Sequence, residues 1–136
     1  MSLSRWMVGR RIRWLLDEAE SDLARGTLPE AVAARSAVPV GPVARPVALR
    51  RLHSVAAEIL LERGTKDVCL VRAVALLGEA RRLGFDAALA CGVRKRDDRV
   101  EAHAWLTVAG RPLLDEPQMV ATYEPLTVLP REEASA

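Results

Sequence analysis

Apolar positions recur at helical spacing through the first stretch of the chain. Leu3, Trp6, Met7, Ile12, Leu15, Leu16, Ala19 and Leu23 predict a helix over residues 3–25. Its arginines lie towards the start and its acids towards the end, the unfavourable order for the helix dipole, so packing must decide whether it forms. The pattern then breaks. Residues 26–46 are rich in Ala, Val and Pro, and "VPVGPVARP" interrupts any periodicity, which predicts an extended connector. A second helix is expected from Val47 to Glu62, stopped at Gly64. A third, Val68–Leu83, is apolar nearly all round and should be buried and central, with Gly84 as its left-handed stop.

Past Gly84 the period changes. "DAALACGV" is a short apolar run that reads as a buried strand, and "RKRDDR" as a charged loop. "VEAHAWLTV" alternates, with Ala102, Ala104, Leu106 and Val108 on one face and Glu101, His103, Trp105 and Thr107 on the other. "AG" marks a turn into a further short strand, "RPLLDE", and "YEPLTVL" adds an edge strand. Helices followed by an antiparallel meander predict an α+β domain. The expected division is an N-terminal helix and connector over 1–46, a main domain over 47–128, and a disordered tail over 129–136.

Composition narrows the picture. The chain of 136 residues fits one domain, and half of them are apolar, enough for a real core. Aromatic residues make up only 4%, so Leu, Val and Ala must fill it. Twenty basic against 18 acidic residues is too even a balance to argue for nucleic acid. No apolar run reaches the roughly 18–20 residues of a membrane span, and the N-terminus lacks a signal-peptide core. A cytoplasmic protein is expected. In a reducing compartment, a disulfide between Cys69 and Cys91 is not. Two histidines without clustered cysteines make no zinc site.

The candidate chemistry begins at "TKDVCLVRAVALL". Thr65 or Asp67 can cap the helix starting at Val68, which puts Cys69 in its first turn. Free N–H groups and the positive end of the dipole favour thiolate there, and the same N–H groups can receive an oxyanion. On its own, the position is equally that of an ordinary small residue. His103 lies mid-strand between two alanines that leave room around its ring. Hairpin geometry then selects a third group. A two-residue turn at Ala109-Gly110 would set His103 opposite Glu116. A three-residue loop, Val108-Ala109-Gly110, sets it opposite Asp115, and Gly110 suits the left-handed position that loop needs. Directly opposed residues have Cβ atoms about 4.5–5.5 Å apart. The three-residue register is therefore expected, with Cys69, His103 and Asp115 as nucleophile, base and orienter.

These motifs carry a family resemblance. C-L-x-R-A at a helix start (Cys69, Leu70, Arg72, Ala73), G-V-R-K after the first strand (Gly92–Lys95), A-H-A-W on the next (Ala102–Trp105) and an Asp twelve residues past the His (Asp115) resemble the transglutaminase-like cysteine peptidases of lasso peptide biosynthesis, the B2 proteins. The resemblance covers roughly residues 50–126. It implies a transglutaminase/papain-like core, with helices on a small antiparallel sheet and the nucleophile at a central helix N-terminus. It implies a leader peptidase acting on a lasso precursor peptide through Cys69, His103 and Asp115, without a cofactor. Fused members carry a strand-rich leader-recognition domain, which residues 1–46 do not resemble. The split form is therefore expected, with a separate recognition protein (B1, a RiPP recognition element) presenting the leader and a lasso cyclase taking the freed core peptide. Acyl transfer to an amine on the same triad, and a non-catalytic partner protein, are the competing readings.

Other residues read more plainly. Arg72, Glu101 and Trp105 are candidate substrate-binding residues, although Arg72 reads first as a structural partner of an acid such as Glu101. Trp105 fits shielding of the triad, a peptide groove or core packing equally well. His53 reads as a surface or boundary residue and Cys91 as inert core. Trp6 and Trp14, eight residues apart, share a helix face expected to be buried against the domain.

Overall fold

The computed structural model describes residues 2–130. Its N-terminal helix, α1 (Ser2–Arg25), follows the periodic pattern. The buried stripe is Ile12, Leu15, Leu16 and Ala19, the i, i+3, i+4, i+7 set of one face. Trp6, Met7 and Trp14 do not join it. They are 57%, 59% and 54% exposed, and Arg10 and Arg11 lie over the Trp6 and Trp14 rings. The expectation that both tryptophans are buried is corrected: the cationic side chains of their own helix cover them partly.

The expected extended connector contains a helix. α2 (Leu28–Ser36) opens on a capping box, with the Thr27 side chain accepting from the Glu30 N–H while the Glu30 carboxylate accepts from the Thr27 N–H. Pro29 sits in the first turn, where its missing N–H costs nothing. Its buried residues are Ala31 and Val32. Only the following segment is irregular, and it is tied down across the end of the central helix: Gly41 N–H donates to the Arg81 carbonyl, Arg45 N–H to that of Leu83, and Arg81 Nε to that of Val38.

The next two helices match expectation. α3 (Pro46–Glu62) has proline at its first position and buries Leu49, Leu52, Ala56, Ile59 and Leu60. α4 (Val68–Arg82) is central, packing against α1, α2, α3 and two strands, and it buries Val71, Ala73–Leu77 and Ala80. Gly84, at φ 97°, follows it in the conformation that favours glycine. Glu79 is buried on this helix, held by Arg11 from α1 at 3.0 and 3.1 Å and by Arg82 at 2.7 Å.

The sheet has four antiparallel strands: β1 (Ala87–Arg96), β2 (Arg99–Val108), β3 (Arg111–Pro112) and β4 (Glu124–Leu129), in the order β3-β2-β1-β4. It is not a simple meander. After β3 the chain passes a single-turn helix, α5 (Pro117–Val120), and returns to pair with β1 on the far side. The charged loop is a two-residue turn, with Asp97 and Asp98 at φ 50° and 64°. Leu129, assigned by pattern to the tail, is the buried end of β4, and residues 131–136 lie outside the described residues.

Candidate active site

The hairpin joining β2 to β3 departs from the expected register. Val108 pairs with Arg111 and Thr107 with Pro112, so the turn is the two-residue Ala109-Gly110, with φ 51° and 79°. Continued regularly, that ladder would set His103 opposite Glu116. It does not continue. Leu113 N–H still donates to the Leu106 carbonyl, and then the chain bends away from the strand. The bend carries Asp115 to His103, with Asp115 Oδ2 at 2.5 Å from Nε2. Glu116 is exposed and precedes α5. The histidine–aspartate pair was expected, but the bend produces it and the strand register does not.

The short β3 also leaves the edge of β2 open beyond Leu106. Successive residues of a strand send their N–H and C=O groups to opposite edges, so Ala104 faces the same edge as Leu106. There the first turn of α4 takes the place of a strand. Val71 N–H bonds the Asp67 carbonyl, while Cys69 and Leu70 are earlier in the helix and have no intrahelical acceptor for theirs. Cys69 Sγ lies beside His103 and the N–H groups of Ala104 and Leu70, each of which favours its thiolate. With Nε2 engaged by Asp115, Nδ1 is the ring nitrogen left for sulfur. The imidazole thus bridges a thiol and a carboxylate.

Electrostatics agree with this arrangement. The hydrogen bond to Asp115, then that to Cys69, raises His103 to about 9. The hydrogen bond to His103, opposed by burial, holds the Cys69 thiol below its ordinary value. Burial pushes Cys91 the other way. Burial would raise Asp115, but the His103 hydrogen bond and charge, with Arg72 beyond, bring it down. For Cys69 and His103 each shift favours the charged form of its group, the thiolate of the one and the imidazolium of the other.

The ring is held from its sides. Trp105 stacks on His103 at 5.5 Å, and Tyr123, just before β4, lies 5.2 Å from it. Trp105 is 6% exposed but outside the helical core, so it packs on the histidine. Gly92 faces His103 across β1 and β2, and a Cβ there would come within 2.9–3.0 Å of Glu124 O, Trp105 and Tyr123. That crowding explains the glycine of G-V-R-K. The arginine of the same motif, Arg94, bonds Thr122 Oγ1 at 2.8 Å and lies 4.5 Å over Tyr123. Pattern reasoning missed Tyr123, which it placed at the start of an edge strand without a role.

Two further residues, Glu101 and Arg72, are placed differently from expectation. Glu101 pairs with Arg94 at 3.2 Å and Arg96 at 3.9 Å, so it is not the partner of Arg72. Arg72 instead lines a small cavity with Cys69, Asp115 and His53. His53 holds the boundary position expected of it, half-buried, with its Nε2 3.7 Å from Asp115 Oδ1. Burial, then the Arg72 charge, lowers His53 to about 4, so it is neutral at neutral pH and the contact is not an ion pair. Its signal was α3 periodicity, since His53 follows buried Leu52 and precedes buried Ala56 by one turn.

Residues 6–128 match the transglutaminase-like superfamily. The chain belongs to that superfamily. The match begins within α1, so the family's extent takes in the N-terminal segment as well as the sheet. No curated protein and no solved structure matches the chain. The family's fold is one of cysteine peptidases and acyltransferases, which fits an α+β domain of helices on a four-stranded antiparallel sheet. Among the described residues no group of His, Cys, Asp or Glu is placed to hold a metal ion. Nor is any described helix long and apolar enough to cross a membrane.

Proposed function

We propose that this transglutaminase-like protein is a cysteine peptidase that removes the leader from a lasso precursor peptide. The observation that carries peptidase chemistry is the juxtaposition of Cys69, at the start of α4, with His103 and its partner Asp115. The lasso assignment rests on the C-L-x-R-A, G-V-R-K and A-H-A-W motifs and the spacing to Asp115.

In this reading the Cys69 thiolate attacks the scissile carbonyl, and the oxyanion is received by first-turn N–H groups of α4. His103 gives its proton to the departing amine, leaving an acyl-enzyme. Water, deprotonated by His103, then hydrolyses the thioester and frees the leader-side acid. Asp115 orients the ring and stabilises its charged form. A separate recognition protein holds the leader, raising its effective concentration at Cys69, and a cyclase takes the core peptide. Family membership also fits transfer of the acyl group to an amine. Mass spectrometry separates the two, because hydrolysis adds water and transfer adds the amine. The test incubates a precursor with the protein and a recognition protein. Expected are a leader fragment carrying a free acid, a large gain on adding the recognition protein, and no product with Cys69→Ala. An intact precursor under all conditions overturns the reading.

A further inference from the structure

Beside Cys69, on the side away from Arg72 and His53, an apolar groove of about 200 Å³ opens between α2, α4 and the sheet. Leu28 of α2, Leu70 of α4, Cys91 and Val93 of β1 and Leu126 of β4 wall it together with Cys69 and His103. The pairing of β1 with β4 explains Leu126. Cys91 pairs with Thr127 and Gly92 with Pro125, so Leu126 is the extra residue of a bulge and lies free of the ladder. It is 65% exposed, a large apolar side chain held at the mouth of the groove.

We infer that this groove binds an aliphatic side chain of the peptide next to the scissile carbonyl. The inference rests on the proposed role of Cys69. A carbonyl placed on the sulfur has its neighbouring side chain within a few ångströms, and Cys69 is part of the groove's wall. Sites for whole small molecules run to about 300–1,000 Å³, so this one has the room of a single side chain. Its lining is mainly hydrocarbon, with the Cys69–His103 pair and Asp67 as its charged groups. A carboxylate or ammonium gives up hydration among the apolar walls, whereas an aliphatic group gains by leaving water.

Chloroacetamides test this whether the occupant lies before or after the scissile bond. The Cys69 thiolate forms a bond to the methylene carbon and chloride leaves. N-isopentyl, N-carboxymethyl and N-aminobutyl chloroacetamide are compared by peptide mapping of Cys69, with each rate divided by that for glutathione. The isopentyl reagent should exceed both charged ones by about tenfold or more. Leu126→Lys should collapse that preference and favour the carboxymethyl reagent over the aminobutyl one. Val128→Lys, on the same strand but outside the groove, should retain it, and a thermal melt confirms that both variants are folded. Equal rates, a charged reagent fastest in the unmodified protein, or an unchanged preference in Leu126→Lys overturns the inference. Failure of the peptidase reading is distinct. An isopentyl preference with an uncleaved precursor sinks that reading alone, and a Cys69 that takes none of the reagents sinks both.

Discussion

At the scale of single residues, the two cysteines carry opposite predictions. The hydrogen bond to His103, opposed by burial, lowers the Cys69 thiol, while burial raises that of Cys91. Iodoacetamide at neutral pH should therefore modify Cys69 much faster, and equal modification of both in the folded protein would contradict this difference. Asp115 is the first cause of the raised His103 pKa, so its effect should be visible in a pH profile. The alkaline limb of kcat/KM should lie near 9. Asp115→Asn should move it down towards the ordinary histidine value and cost between about 10 and 10⁴ in turnover. Glu116→Ala, at an exposed position, should do neither. Cys69 and His103 were singled out by residue type and position, and Asp115 through a hairpin register that the protein does not adopt, yet the fold brings the three together. His53 and Tyr123 were not singled out, because a histidine on a helix and a tyrosine in a loop acquire meaning only when a fold brings them to the same ring.

At the scale of elements, the β2–β3 hairpin shows why the register was misread. A two-residue turn of this kind needs positive φ at both positions, and alanine adopts that conformation at a cost of about 1–2 kcal/mol. The three-residue loop would have placed only glycine there and looked the cheaper choice. The protein accepts the cost at Ala109, φ 51°, and corrects the position of Asp115 by bending after Pro112. Ala109→Asn should relieve it, since asparagine tolerates the left-handed region, and raise stability by about 0.5–1 kcal/mol in urea denaturation. A loss of stability would mean that the turn is not of this type. The helices α1, α3 and α4 were legible because each buries a periodic face. In α2, T-L-P-E held a capping box in plain view, but the Pro-rich stretch beyond it dominated the reading. The placement of β4 beside β1 was not legible, because it depends on which edge of the sheet the returning chain finds open.

At the scale of the whole molecule, the titrating groups predict how stability follows pH. Burial would raise Glu79, but its hydrogen bonds from Arg11 and Arg82 bring it to about 2, so its contribution is present above the ordinary 4.5 and lost as pH falls through 2. His53 lies at about 4 against an ordinary 6.5, so the unfolded chain binds a proton that the folded one refuses, and stability falls as pH drops from 6.5 to 4. The acid side therefore slopes. On the alkaline side two terms oppose each other. His103, raised to about 9, contributes stability that is full below 6.5 and is lost as pH rises to 9. Cys69, lowered from 9.0, contributes stability that is full above 9 and is lost as pH falls through its folded value. The lowered thiol thus offsets part of the histidine term, so the parent's melting temperature should vary less between pH 6.5 and 9 than that of a variant lacking the thiol. Cys69→Ala removes the compensating thiol while Asp115 still raises His103. Its melting temperature should then fall as pH rises from 6.5 to 9. A variant that varies no more than the parent would show that His103 is not held as imidazolium, and the thiolate it is meant to balance would lose its support.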